Sequence, residues 1–180
     1  MKTPPARSPA VSGASPAANP LAAYPQQLHH STLRRDLVYT RASDCFALPL
    51  AQAQESRATV LASLQAEDGQ VLQLCSGQPE AGTELARAAY RTDPGGSPQV
   101  PSGKVFVRFA EGVRAQDRAK ALAATGCRVE SVPAYAPQAA WLAPAGDNPA
   151  QALSAIEKLE ALPDMVNVEP QWLMARALKA

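Results

Sequence analysis

The chain of 180 residues has few aromatic side chains and few histidines: 2 Trp, 4 Tyr, 3 Phe and 2 His. Although 46% of its residues are hydrophobic, much of that fraction is alanine, which buries little apolar area and contributes little to a core. The two histidines, His29 and His30, are adjacent and have no further ligand at a suitable spacing, so neither a metal site nor a histidine-based triad is indicated. Phosphate-binding glycine loops, the nucleophile elbow and the HExxH motif are also missing. We therefore expect no enzymatic activity, no cofactor and no metal.

The sequence likewise lacks an excess of one charge, a cysteine framework and a long apolar run. Its 17 basic residues are balanced by 16 acidic ones, so no broad basic surface for nucleic acid or anionic lipid is expected. The three cysteines, Cys45, Cys75 and Cys127, show no CxxC spacing and are expected to be small buried apolar residues. No stretch approaches the roughly 18 apolar residues of a membrane span, and no signal peptide follows Met1. Taken literally, this start predicts a cytoplasmic protein.

Three regions of different composition are present. Residues 1–31 are rich in Ala, Pro and Ser and are predicted to be a disordered arm, because prolines interrupt every candidate helix or strand. Residues 32–98 are predicted to form a small α+β unit, which ends at the turn-forming sequence DPGGSP. Residues 99–180 are predicted to form a second α+β domain.

In the first unit, the apolar patterns predict short strands at residues 37–40 and 45–50, a helix at 54–65 and a strand at 71–75. A further short helical piece is predicted at residues 84–90.

In the second domain, the predicted order of elements is βαββαβ. The elements are a strand at 104–109, a helix at 115–125 ended by Gly126, strands at 127–132 and 139–143, a helix from the Asn148 cap and Pro149 to 162, and a strand at 165–169. This order predicts a ferredoxin-like antiparallel sheet with two helices on one face. Placing Phe46 over Phe106 also aligns residues 45–75 with 104–132, which suggests that the first unit is a degenerate half-repeat.

Two sequences in the second domain, VFVRFAEGV at residues 105–113 and LPDMVNVEP at 162–170, resemble the subtilisin propeptide-like protease inhibitor family. Members typically open with an apolar strand and a Gly-Val pair and close on Leu-Pro-x-x-Val-x-x-Val-Glu-Pro. Leu162, Pro163, Val166 and Glu169 follow the closing pattern, with Val168 as the apolar residue beside the glutamate. The resemblance covers about residues 102–175.

The resemblance implies a protein that inhibits a subtilisin-like serine protease, or helps it to fold, while acting in trans. In that family the outer face of the sheet packs on two protease helices, acidic residues of the last strand cap those helices, and an extended tail occupies the active-site cleft. By the same analogy the protein would be periplasmic or secreted. Carried onto this chain, the implied protease-binding residues are Glu169 as the helix cap, Gln171 where a second acid is common, Phe106 and Trp141 on the outer face, and the tail residues Trp172, Leu173, Met174, Ala175, Arg176 and Ala177.

Other interpretations stay open at this point. Phe106 and Trp141 could instead pack in a core, because strand register cannot be fixed from sequence. The chain could be a ferredoxin-like interaction module without a protease partner, a small-molecule sensor built from two such units, or an enzyme of unrecognised type. The sequence indicates neither the target protease nor the oligomeric state.

Overall fold

The computed structural model describes residues 19–66, 69–80, 82–83 and 85–173. The first half of the described chain contains β1 (Gln27–Ser31), β2 (Arg34–Pro49), α1 (Leu50–Glu55), β3 (Val60–Gln65), β4 (Val71–Ser76) and β5 (Arg87–Arg91). The second half contains β6 (Val100–Phe109), a 3-10 turn (Ala115–Arg118) leading into α2 (Ala119–Ala124), β7 (Cys127–Ser131), β8 (Ala139–Pro144), α3 (Pro149–Ser154), α4 (Ile156–Glu160) and β9 (Met165–Leu173). The fold is α+β, as expected.

The strands form two antiparallel sheets. In the first sheet the order is β1-β2-β4-β3, and β5 pairs with the other side of β2. The long β2 pairs with β1 through its first half and with β4 through its second half. In the second sheet the order is β7-β8-β6-β9.

One face of the second sheet carries helices. Val105, Val107 and Phe109 of β6 are buried against Leu122 of α2. Because side chains alternate along a strand, the residues between them point to the opposite face. The predicted end of α2 is confirmed. Gly126, two residues after the helix, has φ +92°, the left-handed conformation that glycine adopts easily.

The helices α3 and α4 form a layer that both sheets share. Ala150 and Leu153 pack in the core of the first sheet. Ala152, Ala155 and Leu159 pack in the core of the second sheet. Since these two sets of residues lie on different sides of the helical segment, the layer is buried from both directions.

The remaining core lies on the opposite face of the first sheet. Its members are small and aliphatic: Cys45, Ala47, Leu64, Leu72, Leu74, Ala89, Val100 and Leu173. Val100 and Leu173 come from β6 and β9, and β5 is joined to the residue before β6 by a bridge between Tyr90 and Gln99. All three cysteines are free and buried.

The predicted disordered arm does not extend to residue 31. Residues 27–31 are β1, and Leu21, Tyr24 and Leu28 are buried in the core of the first sheet. Leu21 and Tyr24 lie between Pro20 and Pro25, and Leu28 follows Pro25. The burial of these three residues orders a segment that composition alone assigns to a coil. Residues 1–18 lie outside the described part of the chain.

The two helices predicted in the first unit are wrong over most of their length. Residues 54–65 contain only the end of α1, after which β3 begins at Val60. Of the helical piece predicted at 84–90, residues 87–90 lie in β5 (Arg87–Arg91). Short apolar runs of this kind are compatible with either a helix or a strand. Here β3 pairs with β4 and β5 pairs with β2, and this pairing favours the strand. The predicted strands at 37–40 and 45–50 are one strand, β2.

The two units have the same strand order. β3-β4-β2-β5 in the first corresponds to β7-β8-β6-β9 in the second, with α1 and α2 as the first crossovers. The predicted superposition of Phe46 on Phe106 is nevertheless out of register. Phe46 packs with Ala53 of α1 on the helix side of its sheet, whereas Phe106 alternates with the buried Val105 and faces away from α2.

Candidate functional site

The side of the second sheet that faces away from α2, α3 and α4, here called the outer face, presents an aromatic pair at its centre. Phe106 on β6 lies directly opposite Trp141 on β8, and the ring centroids are 5.1 Å apart. On its other side Phe106 lies opposite Glu169 on β9. Ser131 on β7 lies opposite Trp141, so these four residues form a row across all four strands. The structure therefore brings together three of the residues that the sequence points to.

Charged side chains surround the aromatic pair. Lys104 Nζ lies 2.8 Å from Glu130 Oε2, at one end of the outer face. Arg108 is exposed at the other end and lies opposite Asn167 of β9. A half-buried aromatic centre with a charged rim is the usual anatomy of a protein-binding surface, where Trp and Arg carry much of the binding energy.

Glu169 has neighbours from the first sheet that the sequence does not indicate. Its Oε1 lies 3.9 Å from His30 Nε2, and both side chains are about one-third exposed, at 39% and 33%. His30 Nδ1 lies 3.4 Å from the Tyr39 hydroxyl. Burial raises the pKa of Tyr39, and the charge of Glu169 acts in the same direction. Glu169, at the end of the row, therefore lies beside His30 of β1 and Tyr39 of β2.

The tip of that hairpin also closes the edge of β9. The Thr32 N–H donates to Val168 O at 3.0 Å, and Thr32 Oγ1 accepts from Val168 N–H at 3.0 Å. The Thr32 hydroxyl donates to Glu160 Oε1 at 2.8 Å. Since Thr32 and Val168 are 136 residues apart in sequence, no local pattern could have indicated this contact.

Gln171 is engaged within the chain. Ser102 Oγ donates a hydrogen bond to Gln171 Oε1 at 2.7 Å, which joins β6 to β9 beyond the aromatic row. The position that often carries a second acid in the propeptide family is thus occupied by a side chain already hydrogen-bonded to a neighbouring strand.

Trp172 and Leu173 are not part of an extended tail, contrary to the prediction. Both belong to β9 and lie opposite Pro101 and Val100. Trp172 stacks on Tyr39 with a centroid distance of 4.2 Å, and Leu173 is buried. Both side chains pack against residues of the first sheet, which removes their apolar area from water. Met174, Ala175, Arg176 and Ala177 lie outside the described residues.

Over residues 19–66, 69–80, 82–83 and 85–173, no group of three or more His, Cys, Asp or Glu side chains is placed to hold a metal ion. Among the described helices, none combines the length and the apolar character of a membrane-spanning segment. The outer face combines a central aromatic pair with charged residues around it, and this arrangement is suited to binding a protein surface.

Comparison of the chain with family models, with curated proteins and with solved structures found no match in any of the three. The similarity to the subtilisin propeptide-like family accordingly rests on the residues and motifs of the sequence.

Proposed function

We propose that this chain binds a subtilisin-like serine protease, as an inhibitor or as a folding helper acting in trans, with the outer face of its second sheet against the protease. The observation that carries the proposal is the row of Glu169, Phe106 and Trp141 across the sheet face that lies opposite α2, α3 and α4. A carboxylate beside exposed aromatic area fits a partner that presents helix N-termini next to an apolar surface.

The proposal includes a ferredoxin-like fold for the second unit. Two observations support it: the element order β6-α2-β7-β8-α3-α4-β9, and the sheet order β7-β8-β6-β9 with antiparallel neighbours throughout. In such an arrangement both helical segments lie on one face, which leaves the other face free for a partner.

The cleft-binding part of the proposed complex is residues 174–180, because Trp172 and Leu173 are held in β9. Anchoring these two residues would fix the point from which the tail leaves the sheet. Within this segment we propose Met174 and Ala177 as the residues that fill pockets of the cleft. Inhibition would then be occupancy without chemistry: the tail fills the cleft as an extended strand while the outer face holds the domain in place.

A residual-activity titration of a purified subtilisin-like protease tests the outer face. We expect stoichiometric inhibition by the intact protein, and weakening by about 1–2 kcal/mol for Glu169→Ala, because the helix-capping hydrogen bonds are lost. Trp141→Ala should weaken binding at least as much, since a buried aromatic anchor is removed. The matched control is Glu157→Ala, which removes an exposed carboxylate on α4, on the opposite side of the sheet.

Two outcomes would contradict the proposal. Rapid digestion of the intact protein without inhibition would remove the protease as partner and leave the alternative of an interaction module for another protein. Equal inhibition by the Glu169→Ala, Trp141→Ala and Glu157→Ala proteins would place the contact elsewhere. Thermal unfolding of each variant establishes that the fold is intact.

Deletion of residues 174–180 tests the tail separately. We expect the truncated protein to bind the protease through the outer face but to leave the active site accessible, so that inhibition of a small substrate is lost. Unchanged inhibition by the truncated protein would refute the role of the tail.

A further inference from the structure

The first sheet ends in an unprotected strand. Within the described residues β3 pairs with β4 only, and its other edge meets no further strand. Its sequence, VLASLQ, contains no charge, proline or glycine. Val60 and Leu61 expose 47% and 52% of their surface. An uncharged, partly apolar edge is a template for pairing with another strand.

Three other sheet edges in the described chain, those of β7, β9 and β5, are protected in recognisable ways. β7 carries Arg128 and Glu130. The edge of β9 is covered by Thr32 of the β1–β2 hairpin. The second side of β5 is taken up by the bridge from Tyr90 to Gln99. β3 has none of these three kinds of protection. Its pairing with β4 has one register shift, between Val60 and Ala62, and the rest of the strand is regular.

The direction of the backbone groups defines which residues are open to a partner. The N–H of Ala66 donates to Gln70 O at 2.9 Å, and Leu64 lies opposite Leu72 in the same register. Since hydrogen-bonded residues alternate along an antiparallel pair, the N–H and C=O groups of Ser63 and Gln65 point away from β4. Ser63 lies at the centre of this open stretch.

We propose that a second copy of this chain pairs with β3 through its own β3, antiparallel and centred on Ser63, so that the two first sheets become one continuous sheet. In this register Ser63 lies opposite Ser63 of the second copy, and Ala62 lies opposite Leu64. The pairing keeps Ala62 and Leu64 of both copies on the sheet face that carries the core of Cys45 and Leu72, and it keeps the two serines together on the other face.

The absence of charge favours a second copy over another partner. In a two-fold contact a strand meets its own side chains, so a charged strand would bring like charges together near the axis, whereas β3 brings none. One such contact also covers both open edges at once. The proposal is independent of the proposed function, because the outer face belongs to the other sheet.

Sedimentation equilibrium of the full chain tests the proposal. We expect a monomer–dimer equilibrium for the unchanged protein, and a dimer dissociation constant at least about tenfold larger for Leu61→Lys, because the added charge would lie within the pairing, opposite Gln65 of the second copy, where it loses contact with water. Leu33→Lys is the matched control, since Leu33 is 59% exposed at the hairpin tip, away from β3. A protein that stays monomeric at every accessible concentration, or equal weakening by both lysines, would overturn the proposal.

Cysteine crosslinking tests the register. Ser63→Cys should form a disulfide-linked dimer on mild oxidation, because directly opposite residues have Cα atoms about 5.5 Å apart, within the range of a disulfide. The three native cysteines are buried and should not react. Ser131→Cys, exposed on the edge strand β7, is the control. Crosslinking of both variants at the same rate would show random collision and would refute the paired register.

Discussion

Gly103 marks the closest approach between β6 and the shared helical layer. Its φ is +92°, and a Cβ at this position would lie 2.7 Å from Pro149 Cβ. Both the backbone conformation and the contact therefore require glycine. The register of β6 with β9 shifts at this point, between Pro101 and Val105, so the glycine also lets the strand change direction where it passes α3.

We expect Gly103→Ala to lower the free energy of unfolding by roughly 2–4 kcal/mol, because a left-handed backbone and a steric overlap are imposed together. Gly95→Ala is the control: no atom lies within 4 Å of the added Cβ, and its φ is not in the left-handed range. Urea unfolding of both variants gives the comparison. Equal stability of the two would show that β6 and α3 can separate without cost.

Two buried tyrosines couple stability to alkaline pH. Burial raises the pKa of Tyr24 to about 12 from its ordinary value of 10.0. Burial also raises the pKa of Tyr90, whose hydroxyl donates to Pro25 O at 2.7 Å. The unfolded chain thus releases these protons at lower pH than the folded protein does. Stability is complete below pH 10 and falls as the pH rises towards 12.

We expect Tyr24→Phe to reduce the loss of stability between pH 10 and pH 12, since each such tyrosine contributes a slope of up to about 1.4 kcal/mol per pH unit. Tyr135→Phe, at a residue that is 92% exposed, is the control for loss of a tyrosine hydroxyl outside the core. Urea unfolding at a series of pH values measures the slope. An identical slope for the unchanged protein and Tyr24→Phe would show that Tyr24 is not protected from ionisation.

At the scale of elements, α3 shows which signals a sequence carries by itself. Asn148 followed by Pro149 predicts a helix start, and in the structure Asn148 Oδ1 accepts from the Ala150 N–H at 2.9 Å. The predicted single helix is interrupted at Ala155, between α3 and α4. The cap is local chemistry and could be predicted, whereas the interruption depends on the two sheets that the segment must contact.

We expect Asn148→Ala to cost about 1 kcal/mol of stability, and Asn148→Asp to cost much less, because aspartate also caps a helix start. The free energy of unfolding in urea distinguishes them. The same loss for both substitutions would mean that the amide of Asn148 acts through a contact other than the cap.

The elements that sequence reasoning missed are those whose conformation depends on pairing with other strands. β3 and β5 contain short apolar runs without the strict alternation of a half-buried strand. β5 in particular is buried on both faces at Ala88, Ala89 and Tyr90. Alternation along β6, by contrast, correctly separated Val105 and Val107 from Phe106. The same difference limits the site. The two faces of β6 follow from local alternation, but the register that places Phe106 opposite Trp141 and Glu169 does not, and neither does the contact of His30 with Glu169.

At the scale of the whole molecule, the shared layer makes the two sheets one cooperative structure. Leu153 of α3 lies in the core of the first sheet, while Ala152 beside it lies in the core of the second. Trp172, from the last strand of the second sheet, stacks on Tyr39 of the first. Loss of either sheet would expose apolar surface of the other, so partial unfolding is costly.

We expect single-tryptophan variants to unfold at the same urea concentration. Trp172→Phe leaves Trp141 as a reporter on the outer face, and Trp141→Phe leaves Trp172 as a reporter between the sheets. Leu153→Ala, added to each, should lower the midpoint of both by the same amount, corresponding to about 2–5 kcal/mol. Two separate midpoints would show that the sheets unfold independently.

The position of the shared layer in the chain determines when the first sheet can complete its core during synthesis on the ribosome. All strands of the first sheet are synthesised before α3, yet their core includes Ala150 and Leu153 and packs against Trp172. The first half of the chain must therefore wait, with its apolar face uncovered, until the last third has emerged. During that interval a holding chaperone would have its best opportunity to bind, and a stall in translation after β5 would expose the nascent chain to aggregation.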